Sequence, residues 1–252
     1  MIPINLDITT ISLYLLMCLA GDFKRVILTF IIIILHETGH IIFLKYFQIP
    51  ITKLTIYPFG GLIKTNKLIN FSPLKELLIS IGGILNQLIL YLLFYFLYKY
   101  SFINTYTYNL FLSINTSLIL FNIIPIYPLD GYIILNSLFN IYIPYLKSNI
   151  LSIIISIITL IIFILYSYNC KINSIFVISF LVYKLYIYLK EYKYIHNKFL
   201  LERMIYDIPY NKIIYKYKYS PYYLKLSKYY YFNYKSEKEV IDNIYKNYLI
   251  NR

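Results

Sequence analysis

The sequence is poor in charged residues, cysteine and tryptophan. Only 14% of its 252 residues are charged, 60% are hydrophobic, and the mean hydropathy is +0.62, which excludes an ordinary soluble domain. Tryptophan is absent, and the two cysteines, Cys18 and Cys170, lack CxxC spacing, which excludes a disulfide framework and a thiolate metal site. No basic residues precede the first apolar stretch, so no cleavable signal peptide is expected. A polytopic membrane protein is the class that remains.

Apolar runs of spanning length occur five times, with a shorter sixth candidate. They cover residues 25–47, 77–98, 106–124, 150–169 and 172–189, and the shorter run covers 8–21. Six spans that start in the cytoplasm leave only Lys24, Arg25, Lys99 and Lys171 in the outer loops. We therefore expect an all-α polytopic membrane protein with about six transmembrane helices and both termini in the cytoplasm.

The chain is predicted to divide into a transmembrane domain, 1–189, and a basic cytoplasmic tail rich in Tyr and Lys, 190–252. Residues 237–249 show helical periodicity, so part of the tail is expected to fold. The net charge of +13 suits a cytoplasmic surface next to anionic lipid. The lipid bilayer is thus an expected partner and nucleic acid is not.

One motif contains two of the three histidines: His36-Glu37-Thr38-Gly39-His40, at the end of an apolar run. On a helix this spacing puts both imidazoles on one face, where they bind a single Zn²⁺ with the Glu beside it as general base. A structural origin is disfavoured, because a charge inside a span costs about 2.5–3.5 kcal/mol and marks a functional site by default. The motif predicts a hydrolytic site inside the bilayer, with one Zn²⁺ per chain.

The apolar run at 106–124 leads into FNIIPIYPLDG, residues 121–131, whose prolines and glycine break the helix. Asp130 lies at this break. Asp is also a frequent helix cap, which is the structural interpretation of this residue. However, a two-His zinc site needs a third protein ligand. Among acids in the predicted spans, only Glu37 and Asp130 qualify, so Asp130 is the predicted third ligand.

Residues 48–76 are too polar and too rich in Pro and Gly to continue a helix. The stretch ITKLTIYPFGGLIKT alternates as strands do around Phe59-Gly60-Gly61, which predicts a short membrane-associated hairpin beside the metal helix. Its free edge would pair with an extended peptide. In the next span, Gly82-Gly83 predicts close helix packing, and the Asn86 amide is a candidate donor to a substrate carbonyl.

The two motifs, HETGH at 36–40 and NIIPIYPLDG at 122–131, together resemble the site-2 protease family of intramembrane zinc metalloproteases. The similarity covers about residues 1–205, with YPFGG at 57–61 and FLLER at 199–203, and favours the six-span bacterial branch that processes pro-sigma-K during sporulation. It implies a membrane-associated substrate, a sigma-factor precursor or an anti-sigma factor, and membrane inhibitory partners. The implied site residues are the zinc ligands His36, His40 and Asp130, the base Glu37, the reentrant-loop residues Phe59, Gly60 and Gly61, and the substrate contacts Asn122 and Pro125.

Two other interpretations fit part of the sequence. A membrane zincin of the prenyl-protein protease kind takes its third ligand from a Glu on a later helix, and Glu76 is the nearby candidate. Loss of Glu76 rather than Asp130 should then abolish metal binding. A transporter or scaffold that keeps an inert metal site should show no cleavage that depends on Glu37.

Overall fold

In the part of the chain that the structure describes, the computed structural model contains seven helices of 12–33 residues and five short strands. The described residues are 3–57, 60–167, 173–206, 208–217, 222–231 and 236–242. In chain order the elements are β1 (Ile4–Leu6), α1 (Ile8–Leu19), α2 (Phe23–Tyr46), β2 (Ile51–Tyr57), β3 (Gly60–Thr65), α3 (Pro73–Lys99), α4 (Thr105–Ile123), α5 (Asp130–Tyr142), α6 (Tyr145–Ser167), α7 (Asn173–Ile205), β4 (Lys212–Lys216) and β5 (Ser227–Tyr231).

In their described residues, all six predicted apolar runs coincide with helices. Three helices among the described residues are long and apolar enough to cross a membrane: α2, α3 and the Tyr145–Tyr166 part of α6. The others form α1, α4 and α7, and α1 has only 12 residues, fewer than the roughly 20 that a span needs. The helical prediction is confirmed, and six crossings stay a prediction.

The helix ends follow from local sequence. Pro73 opens α3, where a missing backbone N–H costs nothing. The Asn104 side chain caps α4 by accepting from the Thr107 N–H at 2.8 Å. The segment with Pro125 and Pro128 separates α4 from α5, so Asp130 becomes the first residue of a new helix.

The hairpin predicted within residues 51–65 is present, and it belongs to a larger sheet. β2 pairs antiparallel with β3, and Tyr57 lies opposite Gly60. β1 adds to the other side of β2 as a parallel strand, so the order is β1-β2-β3 and β3 is a terminal strand. The all-α prediction with a lone hairpin therefore needs correction. The third strand went unseen because three residues are too short for an alternating pattern to be read.

The chain contacts divide into two compact units. The first comprises Met1–Lys67, Leu77–Pro125 and Leu129–Ile134, and the second comprises Leu68–Glu76, Ile126–Pro128 and Leu135–Arg252. In the first unit, the Phe94 and Phe111 rings stack at 3.6 Å between α3 and α4, against Leu28 and Ile32 of α2. The predicted domain boundary at residue 189 falls within α7, and it stays a prediction.

The second unit contains the described part of the tail, which is folded around one buried arginine. Arg203, 1% exposed, ion-pairs with Glu237 and donates to the Asn70 side chain at 3.2 Å and to the Ser227 carbonyl. β4 and β5 form a parallel two-stranded sheet, a second departure from the all-α prediction. Residues 237–242 are helical, in line with the periodicity of the sequence, whereas residues 243–249 lie outside the described part.

Candidate metal centre

The His-Glu-x-x-His motif lies on α2, and its three functional side chains are buried. One helical turn separates His36 and His40, so their Nε2 atoms converge to 3.1 Å and their rings meet edge to face, with centroids 4.8 Å apart. The spacing thus delivers both imidazoles to one point, as the sequence predicts.

Asp130 lies at the same point. Its Oδ2 atom is 3.1 Å from His36 Nε2 and 3.4 Å from His40 Nε2, and its side chain is 12% exposed. The broken segment after α4 places the carboxylate there, in the first turn of α5, where the positive end of the helix dipole favours the ionised form. The carboxylate at the start of α5 therefore faces both imidazoles.

Each imidazole is oriented from behind through its other nitrogen. His40 Nδ1 lies 2.7 Å from the Ile79 carbonyl oxygen, and His36 Nδ1 lies 3.0 Å from Gln87 Oε1. Both partners accept hydrogen bonds, so each Nδ1 donates its proton and each Nε2 keeps a lone pair. This is the tautomer that metal-ligating histidines adopt when a carbonyl group fixes the far side of the ring.

The residues present fit a zinc ion. Two Nε2 atoms and a carboxylate oxygen converge, and the buried Oδ2 of Asp130 lacks a hydrogen-bond partner, an arrangement that a bound cation would make favourable. Tetrahedral zinc with Zn–N bonds of about 2.05 Å separates its ligand atoms by about 3.3 Å. The separations of 3.1–3.4 Å match that value.

Gly83 of α3 keeps this space open. A Cβ atom at residue 83 would lie 2.5 Å from His40 Nε2 and 2.7 Å from His36 Nε2, too close to both imidazoles. Its neighbour Gly82 packs against Gly39 of α2, the close helix contact that paired glycines predict. Gly82 therefore allows close packing of the two helices, and Gly83 leaves room beside the two imidazoles.

Glu37 is buried beside the metal ligands and contacts the sheet. Its Oε1 accepts a hydrogen bond of 2.7 Å from the Gly61 N–H of β3. A Cβ atom at residue 61 would collide with the Glu37 carboxyl group, so only glycine allows β3 to approach this closely. His36, Glu37 and His40 form a possible metal-binding cluster by proximity alone. The hydrogen bond to Gly61 nevertheless distinguishes Glu37 from the ligands.

The predicted substrate contacts have different surroundings. The Asn86 amide donates to the Leu35 carbonyl and, at 2.9 Å, to Thr38 Oγ1, so its hydrogens are engaged within the protein. Asn122 is buried in the last turn of α4, and Pro125 is half-buried in the segment that follows. Gly60 is half-buried at the start of β3, and Phe59 lies outside the described residues. Their roles toward a substrate stay predictions.

Three residues near the centre escape sequence reasoning: Ile79, Gln87 and Asn115. Ile79 acts through its backbone carbonyl, which no side-chain pattern reveals. Gln87 and Asn115 are buried amides in apolar helices, and that isolated polarity is the signal that would have drawn attention to them.

Glu76, the third ligand required by the prenyl-protein protease interpretation, has another partner. Its Oε2 accepts from Lys225 Nζ at 2.7 Å, and both residues are buried. The imidazoles meet Asp130 instead. The geometry therefore favours Asp130 as the third ligand.

Comparisons with known proteins identify related peptidases. Residues 25–107 match the model of Peptidase family M50. Stage IV sporulation protein FB of Bacillus subtilis is 29% identical over 188 residues, which are 73% of this chain and 65% of that protein. A zinc metalloprotease of Methanocaldococcus jannaschii is 32% identical over 159 residues, 58% of this chain and 45% of that protein. The chain thus spans less than two thirds of the length of either relative.

A solved structure matches over most of its own length. The site-2 protease from Methanocaldococcus jannaschii superposes with a TM-score of 0.58 at 30% identity, over 73% of this chain and 89% of that one. About three quarters of this chain therefore shares the fold of that protease.

Proposed function

Because the chain belongs to peptidase family M50, the site-2 proteases, we propose that it is a zinc endopeptidase that cleaves a membrane-associated protein within the bilayer. One observation carries the proposal: His36 Nε2, His40 Nε2 and Asp130 Oδ2 lie 3.1–3.4 Å apart, with a buried Glu37 beside them. Three helices apolar enough to span a membrane support the intramembrane location.

In the proposed site, His36, His40 and Asp130 hold one zinc ion per chain. When bound, zinc supplies a Lewis acid that polarises the peptide carbonyl and lowers the pKa of a water molecule. Three protein ligands would hold the ion and would leave it accessible to water or substrate, as in catalytic zinc sites. Ile79 and Gln87 keep the imidazoles in the tautomer that this arrangement needs.

Glu37 is the proposed general base. It takes the proton of the attacking water and then delivers it to the leaving amine, so its carboxylate must stay in a fixed position. The Gly61 N–H provides that fixed position through the 2.7 Å hydrogen bond to Oε1.

The substrate is proposed to bind as an extended strand along β3. A peptide within a helix hides its carbonyl groups in its own hydrogen bonds, so it must unwind before attack. Since the Gly61 N–H points away from β2, the N–H of Ile63 points the same way, and β3 offers donors on its outer side. Phe59, Gly60, Asn86, Asn122 and Pro125 are further proposed contacts.

For the cleaved protein, we propose a sigma-factor precursor of the pro-sigma-K kind or an anti-sigma factor, processed during sporulation in a bacterial cell membrane. The likeness to a sporulation protein supports this choice. The proposed orientation, with both termini in the cytoplasm, follows from the Lys and Arg distribution. Co-expression with candidate precursors, read by gel shift, tests the substrate.

The activity is tested by Glu37→Gln in the purified chain. The variant should lose at least 100-fold in cleavage rate and keep its zinc, because the amide cannot take a proton and the ligands are untouched. Glu239→Gln, at an exposed position, is the control for the loss of one acid. Near-normal cleavage by Glu37→Gln would refute the mechanism. Absence of any cleavage by the zinc-loaded wild type across candidate substrates would favour an inert scaffold.

A further inference from the structure

His36 is supported by a chain of two buried amides from neighbouring helices. Gln87 of α3 and Asn115 of α4 are both 0% exposed. His36 Nδ1 lies 3.0 Å from Gln87 Oε1, and Gln87 Nε2 donates to Asn115 Oδ1 at 3.3 Å. Asn115 Nδ2 in turn donates to the Gln87 backbone carbonyl at 3.2 Å. The three residues thus form one continuous hydrogen-bonded path that ends on a backbone atom.

The backbone carbonyl fixes the orientation of every group in this path. A carbonyl only accepts, so the Asn115 atom next to it must be the NH₂ group, and Oδ1 must face Gln87. The group of Gln87 that meets this Oδ1 must then be its NH₂, which leaves Oε1 for His36. Because Oε1 only accepts, His36 Nδ1 carries the proton.

We infer that Gln87 and Asn115 are positioning residues that hold His36 in the tautomer whose Nε2 lone pair faces the metal centre. The inference rests on the metal site of the proposed function and extends it to residues that touch neither metal nor substrate. His40 needs no such device, since its Nδ1 meets the Ile79 backbone carbonyl, which cannot turn over. A side-chain amide can turn over, and a turned Gln87 would present NH₂ to Nδ1 and move the ring proton to Nε2. Asn115 prevents that turn.

The test measures metal affinity in the purified full-length chain, by zinc competition with a chromogenic chelator and by the visible spectrum of the Co²⁺-substituted protein. Gln87→Leu removes the acceptor of the His36 proton at similar volume. Asn115→Leu removes the group that keeps the Gln87 amide from turning over, without touching His36. Each should weaken metal binding by about 10–100-fold, the usual effect of losing a group that orients a ligand. Gln87→Glu should keep the affinity within about threefold, because a buried protonated Glu can donate its O–H to Asn115 Oδ1 and still turn its other oxygen, an acceptor, toward His36.

The two leucine variants should be non-additive when combined, since both act through the same imidazole. The matched control is Tyr91→Phe, which removes another hydrogen bond between α3 and α4, the 2.7 Å contact of Tyr91 Oη with Thr116 Oγ1. This variant perturbs helix packing and leaves His36 alone, so its metal affinity should equal that of the wild type.

Several outcomes would overturn the inference. Wild-type affinity in both leucine variants would show that the amides do not orient His36, and equal weakening by Tyr91→Phe would assign the effect to helix packing. If Gln87→Leu fails to fold, the metal affinities of Asn115→Leu and Gln87→Glu still test the inference. Equal metal affinity in these two variants would contradict it. A wild-type chain that binds zinc and cleaves nothing would instead refute the proposed function and leave this inference standing.

Discussion

Gly60 and Gly61 are adjacent glycines whose substitution by alanine should have very different effects. Among the described residues, Gly21 is the one glycine with a positive φ, so neither Gly60 nor Gly61 is required by backbone conformation. A Cβ atom at residue 60 would meet nothing within 4 Å. A Cβ atom at residue 61 would lie 2.7 Å from both Cγ and Oε1 of Glu37. Steric contact with the proposed base therefore separates the two positions.

The size of the effect follows from that contact. Ordinary non-bonded contacts between heavy atoms are about 3.5 Å, so Gly61→Ala forces the Glu37 carboxyl group to move by roughly 0.8 Å. Misplacement of a catalytic group by about 1 Å costs on the order of 100-fold in rate, or about 2.7 kcal/mol of activation free energy. Gly60→Ala should change the rate less than about threefold, because its methyl group enters open space.

The assay compares cleavage rate and zinc content in purified Gly60→Ala, Gly61→Ala and wild-type chains. Zinc content should be the same in all three, since the imidazoles and Asp130 are untouched, and Gly61→Ala should lose rate at saturating substrate. Equal rates in the two variants would refute the reasoning, because the Glu37 contact would then not matter. Loss of zinc in Gly61→Ala would show that Glu37 and β3 are coupled to the ligands.

Two further predictions concern the ligand set and the sheet edge. Zinc occupancy by elemental analysis should fall in the order wild type, Asp130→Asn, Asp130→Ala, because the amide keeps the shape but loses the charge; full occupancy in both variants would make Asp130 a helix cap only. Ile63→Pro should suppress cleavage with zinc content intact, since proline removes an outward N–H of β3 without breaking its ladder to β2, and a wild-type rate would mean that substrates do not pair with β3.

The convergence of His36, His40 and Asp130 could be predicted from the sequence because it depends on short-range rules. Helical periodicity alone places His36 and His40 together, and it also places Glu37 on an adjacent face. The position of Asp130 is harder to predict, because it requires one helix to end and another to begin just before this residue. Proline and glycine signal that break, and the scarcity of other intramembrane acids identifies the residue.

The groups that support the ligands could not be predicted in the same way. Gln87 lies 51 residues from His36, and its partner Asn115 is 28 residues further on. Nothing in local sequence distinguishes Gln87 from its neighbour Asn86, which the sequence made a candidate for substrate binding. In the structure Asn86 instead donates to the backbone and side chain of α2, while Gln87 faces His36. One residue along a helix is a rotation of about 100°, and only the packing of α3 decides which amide faces the imidazole.

The sequence also does not show which edge of the hairpin is covered by another strand. Alternation in the sequence predicts both strands and makes Ile56 and Ile63 equivalent sites at which proline should block a substrate. The sheet makes them different, because the Ile56 carbonyl accepts from the Asp7 N–H at 3.1 Å and from Thr10 Oγ1 at 2.9 Å. The Ile56 N–H points to the same side as its carbonyl, so proline at 56 would remove a donor that faces β1, whereas proline at 63 would alter the outer side of β3 alone. Since the Gly61 N–H on that outer side already binds Glu37, an incoming strand that pairs with β3 lies next to the proposed base.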